Sequence, residues 1–165
     1  MPKEGKKRDS DDSNERVAEL PDSSLKVTTS LLELESPRST QKLALDWLLN
    51  YSNFRAYSID RQVQRFAMAV FFLSTRGSSW YETQGWLSED EECTWYQSRD
   101  DNVCVNGIMQ VLSLEATGLN GLLPNKIALL HSLTYLDLSS NSLAGAIPSE
   151  IGALTTLEWL HLSAN

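Results

Sequence analysis

The chain of 165 residues is short of several things, and each shortage closes off a class of function. Basic residues are outnumbered: 14 Lys and Arg against 22 Asp and Glu give a formal net charge of −8. An acidic chain repels phosphate backbones, which argues against a nucleic-acid partner. Only two cysteines, Cys93 and Cys104, and two histidines, His131 and His161, are present. Structural zinc takes four Cys or His ligands drawn together, and the histidines lie well downstream of the cysteines, so no metal site is expected. Long apolar runs are missing too. The longest, "FAMAVFFL" from Phe66 to Leu73, falls far short of the roughly 20 residues of a bilayer span and reads as a core helix. The basic start "MPKEGKKR" meets Asp9, Asp11 and Asp12 where a secretory signal would have an apolar run. No G-x-S-x-G, P-loop or kinase-loop motif occurs, so neither an enzyme nor a cofactor is expected. The acidic run Glu89 to Glu92 lacks the regular spacing of a calcium loop and reads as a solvated loop.

What is present falls into three segments. Residues 1–35 are polar and charged with almost no aromatic residues, a composition that cannot bury enough apolar surface to order itself; a disordered charged tail is expected. Residues 36–106 read as a helical, then Trp- and Cys-rich unit. "SPRSTQKLALDWLLN" offers Ser36 as an N-cap and Pro37 at the first helical position, with Leu43, Leu45, Trp47, Leu48 and Leu49 on a broad apolar stripe. In "SIDRQVQRFAMAVFFLSTRG", Ser58 or Asp60 caps a helix that Gly77 stops. Its buried face is Val63, Phe66, Ala67, Val70 and Phe71, which leaves Arg61, Gln62 and Arg65 to water. Trp80, Trp86 and Trp95 are expected to cover a large apolar end surface.

Residues 107–165 repeat themselves. Leu133, Leu136, Leu138 and Asn141 recur at Leu157, Leu160, Leu162 and Asn165, an interval of 24 residues (157 − 133), and stepping back by the same interval gives Met109, Leu112, Leu114 and Thr117. The loop half keeps register as well: Leu119, Gly121, Pro124 and Ile127 correspond to Leu143, Gly145, Pro148 and Ile151. Alternating Leu136 and Leu138 is strand periodicity with both leucines inward. Asn141 then turns the chain, its amide able to satisfy backbone groups the bend leaves unpaired.

The pattern in "LTYLDLSSN" resembles the leucine-rich repeat, and "NSLAGAIPSEIGALTTLEWLHLSAN" resembles its plant-type form. The helical and Trp-rich lead is similar to the N-terminal cap of that family, in particular of algal receptor-like members, although the spacing from Cys93-Thr94-Trp95 to Cys104 is longer than the common cap spacing. The resemblance implies an α/β fold: a leucine-rich repeat solenoid with a short parallel sheet, two full repeats and the start of a third, behind the helical cap. It implies a disulfide between Cys93 and Cys104; two reduced buried thiols are the other reading. An oxidised pair belongs to an oxidising compartment, and the family implies a membrane-associated or extracellular, receptor-like protein, with Asn50 in a glycosylation sequon. Reduced thiols belong to a cytoplasmic scaffold.

In such an array the residues between the inward leucines line the concave face. Those expected to bind are Ser113, Glu115, Tyr135, Asp137, Trp159 and His161, with Tyr135 stacked on Trp159. The ligand would be a protein, peptide or glycan; a cross-strand aromatic pair that only stabilises the sheet is the plainer alternative. His161 and Asp137 fall on neighbouring strands without an arranged nucleophile, and read as an exposed ion pair. A receptor-kinase ectodomain whose catalytic domain lies in other sequence is a further expectation, as is continuation of the array or self-association through an uncapped C-terminal end.

Overall fold

The computed structural model describes residues 36, 38–50, 53–83, 85–96 and 103–165. The tail expected over 1–35, Pro37, and Tyr51 and Ser52 of the Asn50 sequon lie outside the described residues. Helix α1 spans Thr40–Leu49. Its N-cap is Ser39 rather than Ser36: the Ser39 hydroxyl accepts the Lys42 N–H at 3.1 Å, while the Ser36 carbonyl accepts the Ser39 N–H in the turn before. Ala44, Leu45 and Leu48 are buried, but Leu43, expected on that stripe, points away and is exposed.

Helix α2 spans Ile59–Ser74 and lies between α1 and the turn Asn125–Leu129. Burial on two sides corrects the expectation that Gln62 and Arg65 face water: both are buried. Gln62 donates to the Tyr57 carbonyl at 2.9 Å. Neighbouring Gln64 donates to the Gly107 carbonyl (3.0 Å) and accepts the Met109 N–H (2.8 Å), which ties α2 to the hairpin of β1 (Cys104–Val105) and β2 (Ile108–Met109). Arg65 pairs with Glu92 at 3.0 Å, both side chains wholly buried, and donates to the Ser88 and Asp90 carbonyls at 2.8 and 3.1 Å. Its guanidinium lies 5.0 Å from the Trp95 ring centre and 5.4 Å from those of Trp47 and Tyr57. Arg61 donates to the other Glu92 oxygen at 3.1 Å. The solvated loop expected over Glu89 to Glu92 is therefore half right: Glu89 and Glu91 are exposed, but Glu92 is an interior counter-ion.

Gly77 does not stop α2. The helix ends at Ser74, the Thr75 hydroxyl donates back to the Phe71 carbonyl (2.7 Å), and Arg76 takes the left-handed conformation, φ 53°. Gly77 instead lies against the Phe72 ring, where a β-carbon would collide. Trp80, Trp86 and Trp95 are buried as expected, in ring contact with Phe71, Phe72 or one another. Cys93 and Cys104 form a disulfide between the turn Glu92–Thr94 and β1.

The 24-residue interval becomes strand register. β3 (Val111–Ser113), β5 (Tyr135–Asp137) and β7 (Trp159–His161) form one parallel sheet, with Leu112, Leu136 and Leu160 in line. Leu112 and Leu136 are fully buried, whereas Leu160, covered from one side, is 41 % exposed. β4 (Asn120–Leu122) and β6 (Ser142–Ala144) make a second parallel pair, and the turns Asn125–Leu129 and Ser149–Ala153 follow Pro124 and Pro148, both in extended backbone. The result is an α/β fold carrying leucine-rich coils. Its leading edge is closed by the cap. The Val103 carbonyl accepts the Gln110 and Val111 N–H groups, Tyr96 donates to the Val111 carbonyl (2.6 Å), and the Thr75 carbonyl accepts from Asn120 (3.1 Å). Gly121, at φ +121°, is where the cap passes closest: a β-carbon there would strike the Ser74 carbonyl oxygen.

Asn141 does what its place in the repeat leads one to expect, for both neighbouring coils. Its Oδ1 accepts the N–H groups of Thr117, Gly118 and Leu119 (3.1, 2.9 and 3.0 Å), and its Nδ2 donates to the carbonyls of Leu114, Leu138 and Ser139 (2.8, 3.0 and 3.0 Å). Asn165 repeats the role with Leu143, Leu138 and Leu162. In the first coil, Thr117 substitutes with one bond to the Leu114 carbonyl.

Candidate functional site

Parallel strands place successive repeats in columns. Val111, Tyr135 and Trp159 form one, and Ser113, Asp137 and His161 form the next. Both point away from the leucine column, because side chains alternate along a strand. The structure thus brings Ser113, Tyr135, Asp137, Trp159 and His161 onto one ribbon, with exposed Glu115 at the turn that follows β3.

The geometry inside the ribbon departs from expectation in two respects. Tyr135 and Trp159 are register neighbours, but their ring contacts run through His161: its ring centre is 5.6 Å from Tyr135 and 6.4 Å from Trp159. The His161–Asp137 pair is exposed only on its histidine side. Asp137 is 6 % exposed, and the imidazole Nδ1 lies 3.7 Å from its Oδ2, which is charge proximity rather than a hydrogen bond. Asp137 Oδ1 accepts the Ser139 hydroxyl (2.6 Å) and N–H (2.9 Å), and Oδ2 accepts the Tyr135 phenol at 3.3 Å. Ser139 is itself buried in this bonding. An aspartate two positions before a serine at a strand end is the local signal for such a carboxylate turn, and it is present in "DLS".

Burial alone would push the Asp137 pKa up. The Ser139 hydroxyl and N–H bonds, the facing His161 and the Tyr135 phenol outweigh it, and hold the carboxyl below its ordinary value. The Tyr135 phenol moves up, first through burial, then through the Asp137 charge and hydrogen bond and the more distant Glu115. The linkage follows by sign. A carboxyl depressed in the folded state adds stability above its unfolded pKa of about 3.9, and that stability is lost as pH falls through the folded value. Urea denaturation of the parent chain and Asp137→Asn should therefore show the parent more stable near neutral pH, with the gap closing below about pH 4. A gap unchanged down to strongly acid pH would contradict the assignment.

Among the described residues no group of three or more His, Cys, Asp or Glu side chains is placed to hold a metal ion. A groove of about 470 Å³ lies elsewhere, between the start of α2, the β1–β2 hairpin and the segment ending the turn after Pro124. Ile59, Val63, Val105, Ile108 and Leu129 line it, and none of the residues expected to bind does. No described helix is long and apolar enough to cross a membrane.

Parallel strands in register at a constant interval, inward leucines and an asparagine at the second and third turns define the class of repeat proteins built from stacked strand–turn coils. Residues 132–154 match the family model described as Leucine Rich Repeat, so the chain carries a leucine-rich repeat and fits a protein-binding module. No curated protein and no solved structure matches it.

Proposed function

We propose that the chain is a non-catalytic, receptor-like recognition module of plant-type leucine-rich repeats, arranged as the capped front of a solenoid, which holds a protein, peptide or glycan ligand on the ribbon of β3, β5 and β7. The observation that carries this reading is Trp159: a strand indole left 59 % exposed, beside a half-exposed His161 and in register with Tyr135. Large, rigid aromatic side chains give contact area at low entropic cost, which suits a binding face. On this reading the Cys93–Cys104 bond belongs to a membrane-associated or extracellular setting, where Asn50, exposed at the end of α1, accepts a glycan.

The uncovered side of β7 then receives a further coil of the array or a second copy, as Leu160 and the exposed Ile147 call for. A catalytic kinase domain would be contributed by other sequence. The same face serves an intracellular scaffold if the cysteines are reduced in the cell.

The test is a display of random peptides and a glycan array, probed with the full chain and with Tyr135→Ala/Trp159→Ala. The double variant should keep its far-ultraviolet circular dichroism and lose most of the bound set. Retention of the same set by the folded double variant would make the aromatic pair a sheet stabiliser and remove the assignment.

A further inference from the structure

The repeats carry a charge pattern that narrows the ligand. From residue 107 to 165 the sequence has four carboxylates, Glu115, Asp137, Glu150 and Glu158, and one lysine or arginine, Lys126. Lys126 sits in the turn Asn125–Leu129, not on a strand. Glu115 follows β3, Asp137 ends β5, and exposed Glu158 immediately precedes β7. The ribbon therefore presents aromatic rings and negative charge together, with His161 as its one titratable nitrogen.

Resting on the recognition reading above, we propose that this ribbon takes an arginine side chain of a basic peptide. The guanidinium lies against the Trp159 indole, and Asp137 and, further along the ribbon, Glu115 provide the counter-charge.

Three observations converge on that chemistry. The Trp159 ring is exposed, and an indole is the strongest aromatic partner for a cation. The Asp137 carboxylate is fixed in place by Ser139 and Tyr135, so its field at the face needs no reorganisation when a cation arrives. The cap already solves the same problem internally: Arg65 is held by Glu92 among the rings of Trp95, Trp47 and Tyr57, and the Arg61 guanidinium lies 4.2 Å from the Tyr57 ring centre. Arginine is favoured over lysine because a planar, weakly hydrated guanidinium stacks on a ring while it bonds to a carboxylate.

The experiment uses the full chain and three labelled peptides of equal length: alternating glycine–arginine, glycine–lysine and glycine–citrulline, followed by fluorescence anisotropy. The arginine peptide should bind tightest and the citrulline peptide weakest, with affinity falling as salt rises. Trp159→Ala should weaken the arginine peptide about tenfold, the scale of a desolvated cation–π contact, and Trp159→Phe should keep most of the binding. Glu115→Gln should weaken it about threefold, a rim-charge effect, whereas Glu150→Gln, which removes the same charge from the turn Ser149–Ala153, should not.

Equal losses from Glu115→Gln and Glu150→Gln, or equal binding of the arginine and citrulline peptides, would overturn the proposal. If the arginine peptide fails while peptides or glycans sensitive to Tyr135→Ala/Trp159→Ala are still bound, the cationic class is wrong and the recognition face stands. If nothing bound is sensitive to that double change, both fall.

Discussion

Glu92→Gln is expected to lower the free energy of unfolding by about 3–5 kcal/mol, the cost of leaving a buried charge without its partner. Arg65 is fully buried, and Glu92 is its buried carboxylate partner. Glutamine keeps the shape of the side chain and removes the charge, so the loss isolates electrostatics from packing. Against a total stability of about 5–15 kcal/mol for a domain of this size, that is a large fraction. Replacing both partners, Arg65→Met with Glu92→Met, should be much milder than the two single changes added together, because the desolvation cost disappears along with the attraction. Urea titration followed by tryptophan fluorescence checks this, since Trp47 and Trp95 stand beside the pair. A Glu92→Gln variant within about 0.5 kcal/mol of the parent would show that the pair does not hold the cap. The effect is sharpened by place: the next residue, Cys93, is bonded to Cys104 at the start of the hairpin, so one turn carries both the charge lock and the covalent one.

Asn141→Ala should be the most damaging change of a polar side chain within the repeats, at about 3–4 kcal/mol. The side chain makes three bonds to N–H groups and three to carbonyls. At about 0.5–1.5 kcal/mol each, with water reaching part of a half-buried site, the sum sits near the lower end of that range. The same substitution at Asn165 should cost about 1 kcal/mol, because only its bond to the Leu138 carbonyl is part-buried, while its partners at Leu143, Leu162 and Ser163 are solvated once it is gone. Asn141→Asp is informative as well: it keeps the acceptor for three N–H groups but sets a carboxylate oxygen against three carbonyls, so it should fall between parent and alanine. Thermal melts of the three variants give the order. Equal effects at Asn141 and Asn165 would mean that the inter-coil bonds carry little of the stability.

The asparagine also has a local task that its letter does not reveal. Ala116, Ser140 and Ala164, each one residue before the turn position, adopt left-handed backbone at φ 53°, 58° and 56°. None is glycine, and a side chain in that region costs about 1 kcal/mol or more. Asn141 and Asn165 gather the backbone groups that this turn exposes, and so hold the strained residue in place. The repeat pattern pointed to the asparagine; the strain beside it belongs to the folded backbone.

The repeats themselves were legible because their contacts are periodic. A leucine that recurs every 24 residues is inward in one coil if it is inward in the next, and Leu112, Leu136 and Leu160 line up for that reason. The strand alternation that follows from the same interval placed the outward ribbon of β3, β5 and β7 by residue number. The disulfide came by likeness to the family cap, and the structure forms it. The helix-start signals were less decisive: with serines at both 36 and 39, only the hydrogen bond to Lys42 selects Ser39.

What sequence alone determined is the repeat, its register, the inward leucines and the bridging asparagine, because each rests on spacing along the chain. Only the tertiary structure decided that Arg65 and Glu92 are interior partners, that Asp137 is buried, and that His161 stands between Tyr135 and Trp159. Those facts depend on surfaces meeting across distant segments: a second layer over α2, and a neighbouring strand over β5. A charged letter reads as a solvent-facing one until its partner, far along the chain, is seen to lie against it.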